Sequence, residues 1–236
     1  MTTTLVTGAN KGLGFETARR LVAAGHTVYI GSRDAEAGAR AAEELGARSV
    51  QLDITDDASV AAAAETIAAE GGLDVLVNNA GVAGEWGPDN NVLGAADLTV
   101  DLIRNTFETN VFGLVRVIHA FLPLLQKSAA PVMVNVSSGL ASLSRISTPG
   151  GPGYNYPGVA YPASKTTVNA LTIQYAKAFP QMRINAVEPG FTSTDLNRNS
   201  GAQTVEQGAE IIVRMALVAP DGPTGGFFGN QGPLPW

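Results

Sequence analysis

Thr7-Gly8-Ala9-Asn10-Lys11-Gly12-Leu13-Gly14 stands between a β-branched run, Thr3 to Thr7, and an Ala-rich amphipathic stretch, Leu13 to Ala24. A glycine-rich turn between a strand and a helix is the form a dinucleotide cradle takes. Gly8 permits the tight turn, Gly12 lets the backbone approach a pyrophosphate, and Gly14 lets the helix pack closely on the sheet, with the helix N-terminus facing the anion. The spacing differs from Gly-x-Gly-x-x-Gly, and the turn lacks the Gly-Lys-Ser or Gly-Lys-Thr ending of a P-loop. Glycines also serve ordinary tight turns, so a cradle needs support from residues further along the chain.

Outward from this turn, short β-branched runs alternate with longer amphipathic ones. They are Thr27 to Ile30, Ala35 to Leu45, Ser49 to Leu52, Asp57 to Ala69, Leu73 to Val77, a long helical stretch from Val100 to Lys127, Val132 to Val136, Ala163 to Phe179 and Arg183 to Val187. This alternation predicts parallel strands joined by crossover helices. Six strands are evident, counting Thr3 to Thr7, and Gly226 to Phe228 adds a seventh. Gly25, Gly46 and the Gly71-Gly72 pair each fall just past a helical run, where a left-handed cap favours glycine. Gly81 to Gly94, Arg145 to Gly158 and Phe191 to Ala202 break the rhythm. All three follow strand ends, the edge of an open parallel sheet where ligands bind. No repeat, low-complexity tract or linker divides residues 1–236, which predicts one domain.

With 236 residues, 45% hydrophobic and 15% charged, the chain is long enough to bury one large α/β core. The formal charge of −6 argues against a phosphate-backbone binder, so no nucleic-acid partner is expected. The sequence has no uncharged apolar run of about eighteen residues, and Met1 to Leu5 lead into a strand rather than a signal peptide; no membrane partner and a soluble, cytoplasmic protein are expected. With no cysteine and two separated histidines, thiolate nucleophiles and His-rich metal clusters are excluded, and no metal site is expected. Redox chemistry would have to come from a bound organic cofactor.

The turn resembles the Thr-Gly-x-x-x-Gly-x-Gly signature of the short-chain dehydrogenase/reductase family, and further motifs of that family come after it in order. Asn78-Asn79-Ala80-Gly81 is similar to its Asn-Asn-Ala-Gly segment, which steadies the sheet and lines the adenosine side. Asp53, followed by Ile54, sits at the family's position for the adenine amino group. Asn110 matches the catalytic asparagine that distorts its helix and holds a water in a proton relay; without such a role an Asn inside a helix competes with the backbone. In Asn135-Val136-Ser137-Ser138-Gly139, the resemblance puts the substrate-binding serine at Ser138 rather than Ser137. Tyr161-Pro162-Ala163-Ser164-Lys165 matches the family's Tyr-x-x-x-Lys, and residues four apart share a helix face, so hydroxyl and ammonium address one point. Tyr154, Tyr156 and Tyr175 lack a lysine four places on. Pro189-Gly190-Phe191-Thr192-Ser193-Thr194 resembles the Pro-Gly segment that holds the nicotinamide carboxamide, here through the Thr192 backbone and the Thr194 hydroxyl.

The resemblance spans essentially the whole chain. It implies a single Rossmann-like, doubly wound α/β domain of about seven parallel strands flanked by helices, with Asn110, Ser138, Tyr161 and Lys165 catalytic. The cofactor would be held by the turn from Gly8 through Asn10, Lys11, Gly12 and Leu13 to Gly14, by Ser32 and Arg33, and by Asp53 and Ile54. Asn79, Ala80 and Gly81, then Tyr161 and Lys165, then Pro189, Gly190, Thr192 and Thr194 complete the set.

An NAD enzyme of this kind places Asp or Glu at the end of the second strand, where the carboxylate binds the ribose hydroxyls and repels a 2′-phosphate. Here the slot reads Gly31-Ser32-Arg33, with Lys11 adding a second cation, so NADP(H) is favoured over NAD(H). Asp34 is placed to cap the next helix and point away. For a carbonyl reductase, the resemblance makes Tyr161 the general acid, Ser138 the group that orients the carbonyl, Lys165 the tether for the nicotinamide ribose, and Asn110 with water the proton supply. Lowering a tyrosine from about 10 to about 7 takes about 4 kcal/mol, and an ammonium ~4 Å away at an effective dielectric of ~20 supplies roughly that. Lys165 is therefore expected to make Tyr161 acidic.

Twenty-two residues separate Ser138 from Tyr161, longer than the family's usual gap, and the extra piece is rich in Pro, Gly and Tyr. Carbonyl reductases similar to this chain carry inserted residues here and read Asn-Lys-Gly in the turn, as Asn10 to Gly12 do. The insertion bears on the substrate entrance and on assembly, leaving monomer, homodimer and homotetramer open. A small-molecule carbonyl compound (ketone, aldehyde or quinone) is the expected substrate, and Phe191 to Val205 shows no basic cluster that would mark an acidic one. One alternative is an NAD-dependent alcohol dehydrogenase of the same family, distinguished by cofactor titration. The other is a dinucleotide-sensing regulatory protein, which would keep the glycine turn but lose the Tyr and Lys present here.

Overall fold

In the computed structural model, which describes residues 2–87, 89 and 91–236, each β-branched run becomes a strand. β1 (Thr3–Thr7), β2 (Thr27–Ser32), β3 (Arg48–Gln51), β4 (Val75–Asn78), β5 (Val132–Val136), β6 (Arg183–Val187) and β7 (Phe227–Gly229) run parallel, in the order β3-β2-β1-β4-β5-β6-β7. A two-residue β8 (Gly232–Pro233) adds antiparallel to β7, so the sheet has eight strands, one more than expected. A Gly-Pro pair carries no side-chain alternation from which a strand could be read. Met1 lies outside the described residues, as do Pro88 and Asn90 within the Gly81 to Gly94 break.

Helices cover both faces of the sheet. Leu5, Leu76, Met133 and Ile184 pack with α3 (Asp57–Ala69), α5 (Leu114–Leu125) and α7 (Ala160–Ala178). Val6, Val77, Val134 and Val187 pack with α1 (Gly12–Ala23), α2 (Ala35–Leu45) and α8 (Val205–Ala216). Strands buried on both sides read as continuous apolar runs, which is why their sequences do not alternate. α8 is an addition to the helices expected from the sequence, although Thr204 and Gln207 form a capping box at its start. Asp34 caps α2 as expected, accepting from Ala37 N, which turns its carboxylate away from the cleft.

The long stretch from Val100 divides into α4 (Val100–Phe107), a π-helical segment (Glu108–Gly113) and α5. The whole run, Val100–Leu125, is long and apolar enough to cross a membrane by length and composition alone. In this fold Ile118, Phe121 and Leu125 are fully buried against the sheet. The Ser138–Tyr161 insertion contains a one-turn α6 (Leu143–Ile146).

After β3 the chain crosses to β4 on the far side of β1, so a crevice opens beyond the C-terminal ends of these strands. The glycine turn and all three irregular stretches line that crevice.

Candidate active site

The cleft encloses roughly 1400 Å³ and begins at the glycine turn. Gly8 and Gly12 have φ of +63° and +58°, a region that disfavours any side chain. A Cβ on Gly14 would stand 2.5 Å from the Gly8 carbonyl oxygen. Asn79 staples the turn from the neighbouring strand: its Nδ2 donates to the carbonyls of Thr7 and Gly8 at 2.9 and 3.1 Å. Thr7 Oγ1 in turn accepts from the backbone N–H groups of Asn79 and Ala80, both at 3.0 Å.

α1 starts directly behind this turn with no side-chain cap and no acidic residue in its first turn. α2, α3, α4 and α8 are all capped by Asp or Thr side chains. The N–H groups and positive end of α1 are thus left facing the cleft, the arrangement that suits a pyrophosphate. On this observation the residues fit a dinucleotide.

Beyond the ends of β2 and β3, Arg33, Asp53 and Ile54 line the cleft and Ser32 does not. Ser32 is buried, with its Oγ donating to the Asp34 carbonyl at 2.8 Å. The Lys11 ammonium pairs with Asp195 at 2.6 Å across the mouth. Asp53 closes an Asx turn on Thr55, accepting from both its N–H and its hydroxyl, and these bonds hold its carboxyl below the usual range. Beyond the end of β6, Pro189, Gly190, Thr192 and Thr194 line the wall, with Thr192 buried and Thr194 N donating to Asn197.

Asn110, Ser138, Tyr161 and Lys165 arrive from three elements. Tyr161 is the second residue of α7, and Ser164 Oγ donates to its carbonyl at 2.7 Å. Asn110 sits in the π segment with its amide fully used. Oδ1 accepts from Val82 N at 2.8 Å, and Nδ2 donates to Val82 O at 2.9 Å and to Ser164 Oγ at 3.0 Å. Of the two serines after β5, Ser137 turns inward and donates to Asn169 Oδ1 at 2.6 Å, while Ser138 accepts from Leu140 N at 3.2 Å and lines the cleft with the Tyr161 phenol. A small space of about 10 Å³, at the threshold for one water, has Asn110 and Lys165 among its lining residues. A Cβ on Gly81 would come within 3.2 Å of Asn110 Oδ1 and 3.4 Å of Lys165 Nζ, so glycine keeps the path between them clear.

The electrostatics correct one expectation. Burial pushes the Tyr161 phenol up to about 12, the Ser138 side chain opposes this, and the carboxylates of Glu188 and Glu85 push it further up. Burial also lowers Lys165 to about 8. Lys165 is not among the groups that hold the phenol down: its Nζ is buried, donates to the Val136 carbonyl at 2.8 Å, and gives up its proton well before the phenol ionises.

The far wall of the cleft carries residues that the sequence motifs did not mark. Tyr156 of the insertion lines it, and burial, with the Glu85 charge, pushes its phenol up. Burial raises Glu188, and Arg145 opposes that shift. A Cβ on Gly139 would meet Glu188 Oε1 at 3.0 Å and Arg145 Nη1 at 3.1 Å. Arg198 stacks over the Trp86 ring at 4.8 Å, bridging two loops at the mouth. A signal existed for Glu188, a charge closing an apolar strand immediately before Pro189-Gly190.

The model of the short chain dehydrogenase family matches residues 2–205. Short-chain dehydrogenase/reductase 1 of Saponaria officinalis is 35% identical, with 95% of this chain and 92% of that protein aligned. The (+)-neomenthol dehydrogenase of Capsicum annuum is 32% identical over 95% and 94%. Among solved structures, salutaridine reductase from Papaver somniferum superposes with a TM-score of 0.83 at 32% identity, covering 98% of this chain and 100% of that one. Similarity that runs from β1 to the start of α8, through the residues that build the cleft, makes this chain a member of the short-chain dehydrogenase/reductase family.

Proposed function

We propose that the protein is an NADPH-dependent reductase that converts a small-molecule ketone, aldehyde or quinone to its alcohol. The observation that carries this reading is the meeting of Ser138, Tyr161 and Lys165 on one cleft wall, with Tyr161 and Lys165 on the same face of α7. Relatives named dehydrogenase and reductase support carbonyl–alcohol redox chemistry.

NADPH, when bound, supplies the hydride. The glycine turn and α1 would hold its pyrophosphate, Asp53 and Ile54 its adenine, Arg33 and Lys11 its 2′-phosphate. Lys165 would hold the nicotinamide ribose, and Pro189 to Thr194 the carboxamide.

Ser138 orients and polarises the carbonyl oxygen, and Tyr161 gives it a proton. A phenol near 12 is fully protonated at neutral pH, the form a reductive step needs. An alkoxide is about as basic as hydroxide, whose conjugate acid has pKa about 15.7, so proton transfer from such a phenol still runs downhill. Oxidation of an alcohol would require the phenolate, which this environment opposes. Asn110 and Lys165 flank the space through which water can return a proton to Tyr161. We place the protein in the cytoplasm, where NADPH and small carbonyl compounds are available to it.

The test is a panel of ketones, aldehydes and quinones with NADPH or NADH, following loss of the reduced-nicotinamide absorbance. NADPH-dependent turnover of at least one carbonyl class is expected. Turnover only with NAD and alcohols would overturn the reading.

A further inference from the structure

The helix that presents Tyr161 has no cap of its own. Its N-cap position is Val159, and no side chain of that segment accepts from its first turn. The orphan N–H groups at a helix start normally go to water or to a capping side chain nearby in sequence. Here two are met from the loop after β4: Glu85 Oε1 accepts from Val159 N at 2.5 Å and from Ala160 N. Glu85 is only 3% exposed, and its carbonyl is tied to Leu93 N at 2.8 Å.

Its second oxygen, Oε2, is buried and has no hydrogen-bond partner among the described residues. Gly158 makes room for it, since a Cβ there would come within 2.6 Å of Oε2. A buried carboxylate with one oxygen unpaired is an expensive cap, and the neutral amide of a glutamine would offer an oxygen to the same N–H groups without a charge to bury. The retained charge therefore points to a role beyond capping.

We propose that Glu85 is a positioning residue for the proton donor: it docks the first turn of α7 onto the loop after β4, aims the Tyr161 phenol into the cleft, and keeps a negative charge beside it. The inference rests on the reading of Tyr161 as the acid. The groups facing that phenol are Ser138 from the end of β5, Lys165 from α7, Tyr156 from the insertion, Glu188 from the end of β6, and Glu85. Arg145 moderates Glu188. Among them Glu85 and Glu188 oppose ionisation of Tyr161 by charge.

The experiment compares Glu85→Ala and Glu85→Gln with the parent and with Tyr161→Phe. It reads kcat, KM, the alkaline limb of the reductive rate, and the Tyr161 phenolate titration by ultraviolet difference against Tyr161→Phe. Glu85→Ala should lower kcat on the order of tenfold to a hundredfold through misplacement of the acid, with dinucleotide affinity within about twofold. Glu85→Gln keeps an oxygen for both N–H groups and should recover most of that loss. Its alkaline limb and phenolate titration should nevertheless move to lower pH by roughly half a unit or more. Parental turnover in Glu85→Ala, or a parental titration in Glu85→Gln, overturns the proposal. If Tyr161→Phe keeps its activity, the acid assignment fails instead, and the titration of Glu85→Gln still decides whether Glu85 acts on the phenol.

Discussion

The ammonium of Lys165 lies 5.8 Å from the centroid of the Tyr161 ring while donating to the Val136 carbonyl beneath it. The lysine lines the cleft yet is only 5% exposed, and its burial has a consequence that unfolding measurements can read.

The unfolded chain keeps the Lys165 proton up to about 10.5, the folded chain only to about 8. Between those values unfolding takes up a proton, so stability rises with pH across the window; below it the fold carries the full cost of the buried charge. Lys165→Met should be more stable than the parent at neutral pH, by up to roughly 3 kcal/mol. That advantage should shrink toward pH 10.5 in denaturant melts of the protein without dinucleotide. Tyr161 acts oppositely from pH 10 to about 12, but its contribution is common to both proteins and cancels. A difference that stays flat with pH would rule out a buried cation at Lys165.

Tyr161→Phe removes the phenolic proton and leaves the ring. Carbonyl reduction should fall by roughly 10² to 10⁴-fold, the usual contribution of a general acid. NADPH affinity, measured by fluorescence titration, should stay within about twofold of the parent. Retention of more than a few per cent of activity would refute the assignment.

Arg33→Ala tests the 2′-phosphate. Loss of a charge-assisted bond should raise the NADPH KM roughly tenfold or more and leave the NADH KM within about twofold. Lys11 pairs with Asp195 where both side chains are about two-thirds exposed (66% and 63%), so that contact is readily exchanged for a phosphate. Asp195→Asn should therefore leave the NADPH KM equal or lower. Equal effects of Arg33→Ala on both cofactors would mean that Arg33 does not touch the phosphate.

Two glycines with nearly the same backbone separate folding from binding. Gly12 and Gly46 have φ of +58° and +65°. A Cβ would meet only Thr194 Cγ2, at 3.8 Å, on the first and nothing within 4 Å on the second. Alanine at either should cost roughly 1 kcal/mol of stability. Only Gly12→Ala should weaken dinucleotide binding, by tenfold or more on the order of a lost close backbone approach, read by titration of the purified variants. Comparable affinities would remove Gly12 from the cradle.

The amino-acid order by itself determined the glycine turn, seven of the eight strands, the caps at Asp34 and Gly46, and the pairing of Tyr161 with Lys165 on one helix face. Each depends on spacing within a few residues, where period, cap chemistry and backbone freedom are local properties. Only the tertiary structure decided that Ser138 and not Ser137 meets the phenol, that Ser32 turns from the cleft to Asp34, and that Glu85 caps a helix more than seventy residues away. It also reversed the expected direction at Tyr161, by burying the phenol within reach of two carboxylates, Glu85 from the loop after β4 and Glu188 from the end of β6. Burial and charge depend on which segments meet in space, and a single chain's local pattern carries no record of those encounters.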